Sequence, residues 1–169
     1  APGGAPPILD NAFTRVGALT IHAGAASLAL LVGPFQFLPG LRSRRPALHR
    51  WTGRLYVLAC AVGGVSGAVL AGGAKTGLPS TIGFGLLALL WLVTTGQAYV
   101  CARGGRIAEH RRWMIRSFAL TFAAVTLRLY LPFAFVSPFG YEATYRAISF
   151  LCWIPNLMVA EALLVRRAP

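Results

Sequence analysis

The chain has 169 residues, of which 56% are hydrophobic and only 12% charged, and its formal net charge is +12. Its mean hydropathy of +0.64 is far above that of soluble domains, which excludes a soluble globular chain. Nucleic acid is excluded as the partner of the positive charge, because the arginines cluster at the ends of apolar stretches, where membrane topology and anionic lipid place them.

Taken in chain order, the opening Ala-Pro-Gly-Gly-Ala-Pro-Pro is non-helical, since proline fixes φ and lacks a donor. Residues 1-11 read as an outer-face linker in which Asp10 or Asn11 caps the first helix. The chain begins at Ala1 without methionine, so upstream sequence is expected, as a signal peptide or a further helix. Five apolar stretches follow: Ala12–Leu38, Trp51–Gly72, Leu78–Cys101, Trp113–Val136 and Tyr141–Val165. Each supplies the ~20 residues a helix needs to cross the hydrocarbon core. The fold class is therefore all-α, a polytopic transmembrane helix bundle in which residues 12-165 form a single domain and 166-169 a cytoplasmic tail.

Basic residues alternate between the gaps. Arg42, Arg44, Arg45 and Arg50 precede the second span, with Arg54 just inside it; Arg103, Arg106, Arg111 and Arg112 precede the fourth, with Arg116 just inside. Arg166 and Arg167 follow the fifth, while the remaining gaps hold only Arg15, Lys75 and Arg146. Short-loop Arg and Lys resist translocation, so the rich gaps are expected to face the cytoplasm, with the N-terminus outside and the C-terminus inside.

A repeat underlies the two rich gaps. Arg42-x-x-Arg45-x-x-x-His49-Arg50 recurs 61 residues later as Arg103-x-x-Arg106-x-x-x-His110-Arg111. With one inserted residue, Trp51, Arg54 and Tyr56 align with Trp113, Arg116 and Phe118. Two tandem helical hairpins in the same orientation, plus a fifth helix, satisfy this pattern.

Several side chains stand out against the apolar background. Arg42, Arg44, Arg45, Arg103 and Arg106 suit interface anchoring, with guanidinium on headgroups. Arg54 and Arg116 lie about 8 Å deeper than their histidines and need a partner or a water-filled route. Glu161, the acidic residue deep within the fifth span, falls near their depth and is expected to meet one of them, as a structural pin or as part of a proton or anion site. His22 sits among small residues of the first span, where a packing role is expected. Arg128 on the fourth span has no acid at its outer-half depth, so it lines a cavity or contacts a partner chain, unless carbonyls, water or lipid phosphate satisfy it. Pro132 and Pro155 each remove a ladder bond, and Asn156 is placed to satisfy a freed carbonyl. Gly63-Gly64-x-x-Gly67 allows close helix approach, and Cys60, Cys101 and Cys152 lack metal or disulfide spacing.

The segments Gly33-Pro34-Phe35-Gln36-Phe37, Pro46-Ala47-Leu48-His49-Arg50-Trp51-Thr52-Gly53-Arg54-Leu55-Tyr56, the run from His110 to Leu129, and Trp153-Ile154-Pro155-Asn156 through Glu161 resemble the hallmark segments of the DUF2306 family of predicted bacterial membrane proteins. The resemblance runs from about His22 to Glu161. It implies a multi-pass protein of the bacterial cytoplasmic membrane, often with a further upstream helix, and it implies no particular chemistry.

Three functions fit these residues. His49 and His110, on diagonal helices at one depth, suit axial ligation of a b-type haem, with Arg54 and Arg116 on its propionates, in an electron-transfer module. Against this, side chains near a helix start tilt toward the headgroups. The alternative is a non-catalytic accessory subunit packed against a larger membrane complex or a second copy. A proton-coupled transporter using Glu161 and Arg128 is the third. Membrane lipid is the partner common to all three.

Overall fold

The computed structural model describes residues 12–74 and 76–165, with side chains from Arg15 onward. The 1-11 linker with its expected Asp10 or Asn11 cap, Lys75, and the tail with Arg166 and Arg167 lie outside the described residues. Five stretches are long and apolar enough to cross a membrane: Arg15–Phe37, Pro46–Gly72, Leu78–Arg103, Ile107–Val136 and Tyr141–Val165. All regular elements among the described residues are helical.

Prolines divide the first span from the second. Helix α1 (Ala12–Val32) ends before Pro34, and the chain tightens into a 3-10 turn over Gly33–Phe37 instead of continuing to Leu38. Leu38 is extended because it precedes Pro39, the first residue of the short α2 (Pro39–Arg44). Arg45 leaves the helical region before Pro46 for the same reason, and Pro46 then opens α3 (Pro46–Gly72). Helix α4 (Leu78–Arg103) starts after Gly77, whose φ of 92° suits glycine.

The last two spans are each interrupted within the membrane. The fourth comprises α5 (Ile107–Thr121) and α6 (Ala123–Val136), and the fifth comprises α7 (Tyr141–Leu151) and α8 (Ile154–Val165). Pro155 follows the second break closely, whereas Pro132 lies inside α6 without ending it. At the first break no proline acts, and the Thr121 hydroxyl donates back to the Ser117 carbonyl at 2.9 Å. The two breaks lie on adjacent spans, and Asn156 Nδ2 ties them, donating to Thr126 Oγ1 at 3.0 Å and to the Cys152 carbonyl at 3.1 Å.

Helix α3 packs on α1 and α4, α4 packs on α5 and α7, and the pairs α6 with α7 and α5 with α8 complete the bundle. Small residues make these approaches possible in a solvent as apolar as the side chains themselves. Ala29, Ala98, Cys60 and Cys152 are fully buried. A Cβ on Gly64 would fall 2.6 Å from the Leu92 side chain, and one on Gly67 would fall 3.0 Å from His22 Cε1. The His22 ring occupies that space, with Nδ1 2.8 Å from the Gly63 carbonyl, so it joins α1 to α3 as a packing residue.

The centre of the bundle is a hydroxyl network. Tyr56, fully buried on α3, meets Ser117 Oγ at 2.9 Å and Thr121 Oγ1 at 2.8 Å on α5. Trp91 Nε1 donates to Thr121 Oγ1 at 2.9 Å, and Thr95 meets Ser117 at 2.7 Å. Bonds of this kind average about 0.6 kcal/mol each within a membrane, and their directionality fixes the rotation of α3, α4 and α5 about their axes.

Candidate functional site

Helices α3 and α5 both start at the arginine-rich end and run in the same direction, so a residue and its counterpart 61 positions later reach the same depth. Between them lies a cavity of about 1080 Å³, slightly larger than the usual range for ligand sites. Its walls repeat the sequence register: Arg42 and Arg103, Pro46 and Ile107, His49 and His110, Arg50 and Arg111, Gly53 and Met114, Arg54 and Ile115 all line it. The next pair in the same register, Tyr56 and Ser117, is the hydrogen bond across the bundle centre described above. That contact joins the two helices beside the cavity, whose lining runs on past it to Phe118, Ala119 and Phe122.

This register corrects the alignment with an inserted residue. Arg54 lines the cavity opposite Ile115, and Arg116, one residue further round α5, does not line it. One residue is about 100° of helix rotation. Arg116 instead forms a two-pronged pair with Glu161 on α8, Nε to Oε1 at 2.5 Å and Nη2 to Oε2 at 2.8 Å. Its guanidinium also stacks 4.8 Å from the Trp113 ring centroid. The side chains are 24% and 46% exposed, so the pair is only partly withdrawn from its surroundings.

The two histidines of the cavity are not equivalent. His110 Nδ1 lies 2.8 Å from the Ala98 carbonyl, an acceptor only, so Nδ1 carries a proton and Nε2 is the ring nitrogen left to other partners. His49 Nδ1 is buried without a hydrogen-bond partner. An orphaned ring nitrogen is costly unless something satisfies it.

Charge in the cavity is one-sided. Five arginines line it, Arg42, Arg50, Arg54, Arg103 and Arg111, and no acidic residue does. The ion pairs among the described residues use other arginines: Arg106 with Glu109, Arg116 with Glu161 and Arg146 with Glu142. Beneath the cations the lining is apolar, including Phe37, Phe118, Ala119 and Phe122. Gln36 completes the wall, held by donation from Nε2 to Thr52 Oγ1 at 2.9 Å.

The remaining sequence candidates lie elsewhere or at the margin. Asn156 touches the cavity from the α8 side while holding the two helix breaks together. His22 belongs to the α1–α3 contact. Arg128 donates from Nη1 to its own-helix Ala124 carbonyl at 2.7 Å and faces a small cleft formed with Ala26, Ser27 and Leu30. No group of three or more His, Cys, Asp or Glu side chains able to hold a metal occurs among the described residues. Sequence reasoning assigned Arg42 and Arg103 to headgroup anchoring; their unbroken 61-residue register with the histidines was the signal that puts them on the cavity.

A family model described as "Predicted membrane protein (DUF2306)" matches residues 19–164. No curated protein and no solved structure matches the chain.

Proposed function

Since the chain belongs to the DUF2306 family of predicted membrane proteins, whose matched residues 19–164 contain the whole cavity, we propose that this integral membrane protein is a small electron-transfer module holding a b-type haem between His49 and His110. The observation that carries the reading is the pairing of two histidines in register on one cavity, one with Nδ1 anchored to a carbonyl and the other with Nδ1 buried and unpartnered.

The donor set fits the group. A neutral imidazole fixed through Nδ1 is the usual state of a haem ligand. The apolar lining suits a macrocycle, and the arginines around the histidines suit its carboxylates. Arg54 remains in this role, joined by Arg50 and Arg111; Arg116, held by Glu161, does not. Bound haem would supply one-electron chemistry. The chain's own part would be to hold two imidazoles at one depth and neutralise the carboxylates, with the Tyr56–Ser117 bond fixing α3 against α5 beside the site. In this reading the arginine-rich end is cytoplasmic.

The test is an absorption spectrum of the purified protein, oxidised and then reduced. A Soret band and a sharpened reduced α-band are expected, and both should disappear in His110→Ala protein that elutes at the same volume. Haem-free spectra from cells supplied with haem precursor would refute the reading.

A further inference from the structure

We propose that the same cavity takes the phosphate headgroup of an anionic phospholipid, whose acyl chain leaves sideways along the face between α5 and α8. This inference does not rest on the haem reading. The two carboxylates of a haem balance only two of the five guanidiniums that line the cavity. The other three have no acidic side chain beside them in the cavity, and like charges gathered around one volume favour a further anion there.

The charge is also organised as a site. Its arginines come from α2, α3, the end of α4 and the start of α5, so four separate elements direct them to one volume. Arginines that only anchor helices in headgroups have no reason to converge. Guanidinium is the cation best matched to phosphate, because its fork gives two parallel hydrogen bonds to adjacent oxygens.

The exit for the chain is read from exposure. Phe122, Val159 and Leu163 line the cavity, yet they are 43%, 60% and 44% exposed, so on this side the cavity opens on the outer surface of the bundle. These residues belong to membrane-crossing stretches, and the medium they meet is therefore hydrocarbon. From Arg111 to Phe122 the rise is about 16 Å, half of the ~30 Å core. A groove with cations at its head and an apolar floor one leaflet deep matches an anionic phospholipid and not a free anion.

The experiment is native mass spectrometry of delipidated protein, titrated with phosphatidylglycerol or with phosphatidylcholine of the same chains, each with and without millimolar inorganic phosphate. The expected result is one retained phosphatidylglycerol, favoured about tenfold over phosphatidylcholine and not displaced by phosphate. Arg42→Gln with Arg103→Gln, the lining arginines not taken by the haem carboxylates, should remove that preference. Arg44→Gln with Arg112→Gln, at positions outside the cavity lining, should preserve it. Equal retention of the two lipids overturns the proposal, as does equal loss in both double variants, which would mean general surface charge. Displacement by inorganic phosphate overturns the lipid as occupant in favour of the free ion. An absorption spectrum of the same preparation separates the two proposals, since lipid preference without haem bands leaves this one standing and sinks the other.

Discussion

At the end of the bundle where α3 turns into α4, Arg15 donates to the Gly73 carbonyl, and Arg146 donates from Nε to the Thr76 carbonyl at 2.7 Å and from Nη2 to Glu142 at 3.1 Å. At the opposite end, Arg42, Arg50, Arg54, Arg103 and Arg111 line a cavity that holds no acidic side chain. The same residue type thus does two physical jobs. At the sparse end each guanidinium satisfies a carbonyl that a helix end or turn leaves free, and it stabilises the fold. At the rich end five exposed guanidiniums gather around one cavity with no acidic side chain in its lining, and none of the ion pairs among the described residues uses them. Counting positive charge sets the topology, but only the partner of each charge tells structure from function.

The largest effect that bears on this contrast is all-or-none. Reporters fused after Arg45 or Arg106 should read cytoplasmic, and one fused near Lys75 should read external. A cytoplasmic signal at Lys75 would place the carbonyl-bound arginines inside and undo the assignment of ends.

Next in size is the Arg116–Glu161 ion pair, which belongs to the rich end yet behaves like the sparse one. Glu161→Gln should destabilise by about 1–3 kcal/mol, below the limit for a fully buried pair, because the Glu161 side chain is 46% exposed. Adding Arg116→Gln should restore much of the loss, since no stranded guanidinium remains. Unfolding in detergent across the four-member cycle measures this, and additive losses would mean that the pair does not pin α8 to α5.

The smallest effect tests the contrast most directly. Arg146→Gln should cost about 1 kcal/mol through its lost carbonyl bond. Arg50→Gln should stay within about 0.5 kcal/mol of the parent or raise stability by relieving repulsion. Thermal melts of the two variants in lipid-free detergent decide it. Equal losses would show that the cavity arginines are structural as well.

Much of the fold was legible because its signals are local. Span length and arginine asymmetry follow from the bilayer alone, and the five membrane-crossing stretches lie where hydropathy places them. The first span ended early because Pro34 and Pro39 act on the chain more strongly than the apolar pattern around them. At the site, the histidine repeat was readable, but the extension through an inserted residue followed residue type. Facing in a helix follows rotation, and matching Arg54 to Arg116 chose chemical likeness over the 61-residue spacing that the cavity keeps. The hydroxyl network was hidden for a different reason. Thr95, Ser117 and Thr121 look like ordinary helix contacts until Tyr56 brings them to one point.

The latch at the sparse end bears on how the protein is made. The turn after α3 is gripped from one side by Arg15, near the start of the first described helix, and from the other by Arg146, near the start of the last span. A ribosome delivers these two residues 131 positions apart. A chain ending after the fourth span would have that turn held from the Arg15 side alone, so the fifth span is the segment that completes the latch.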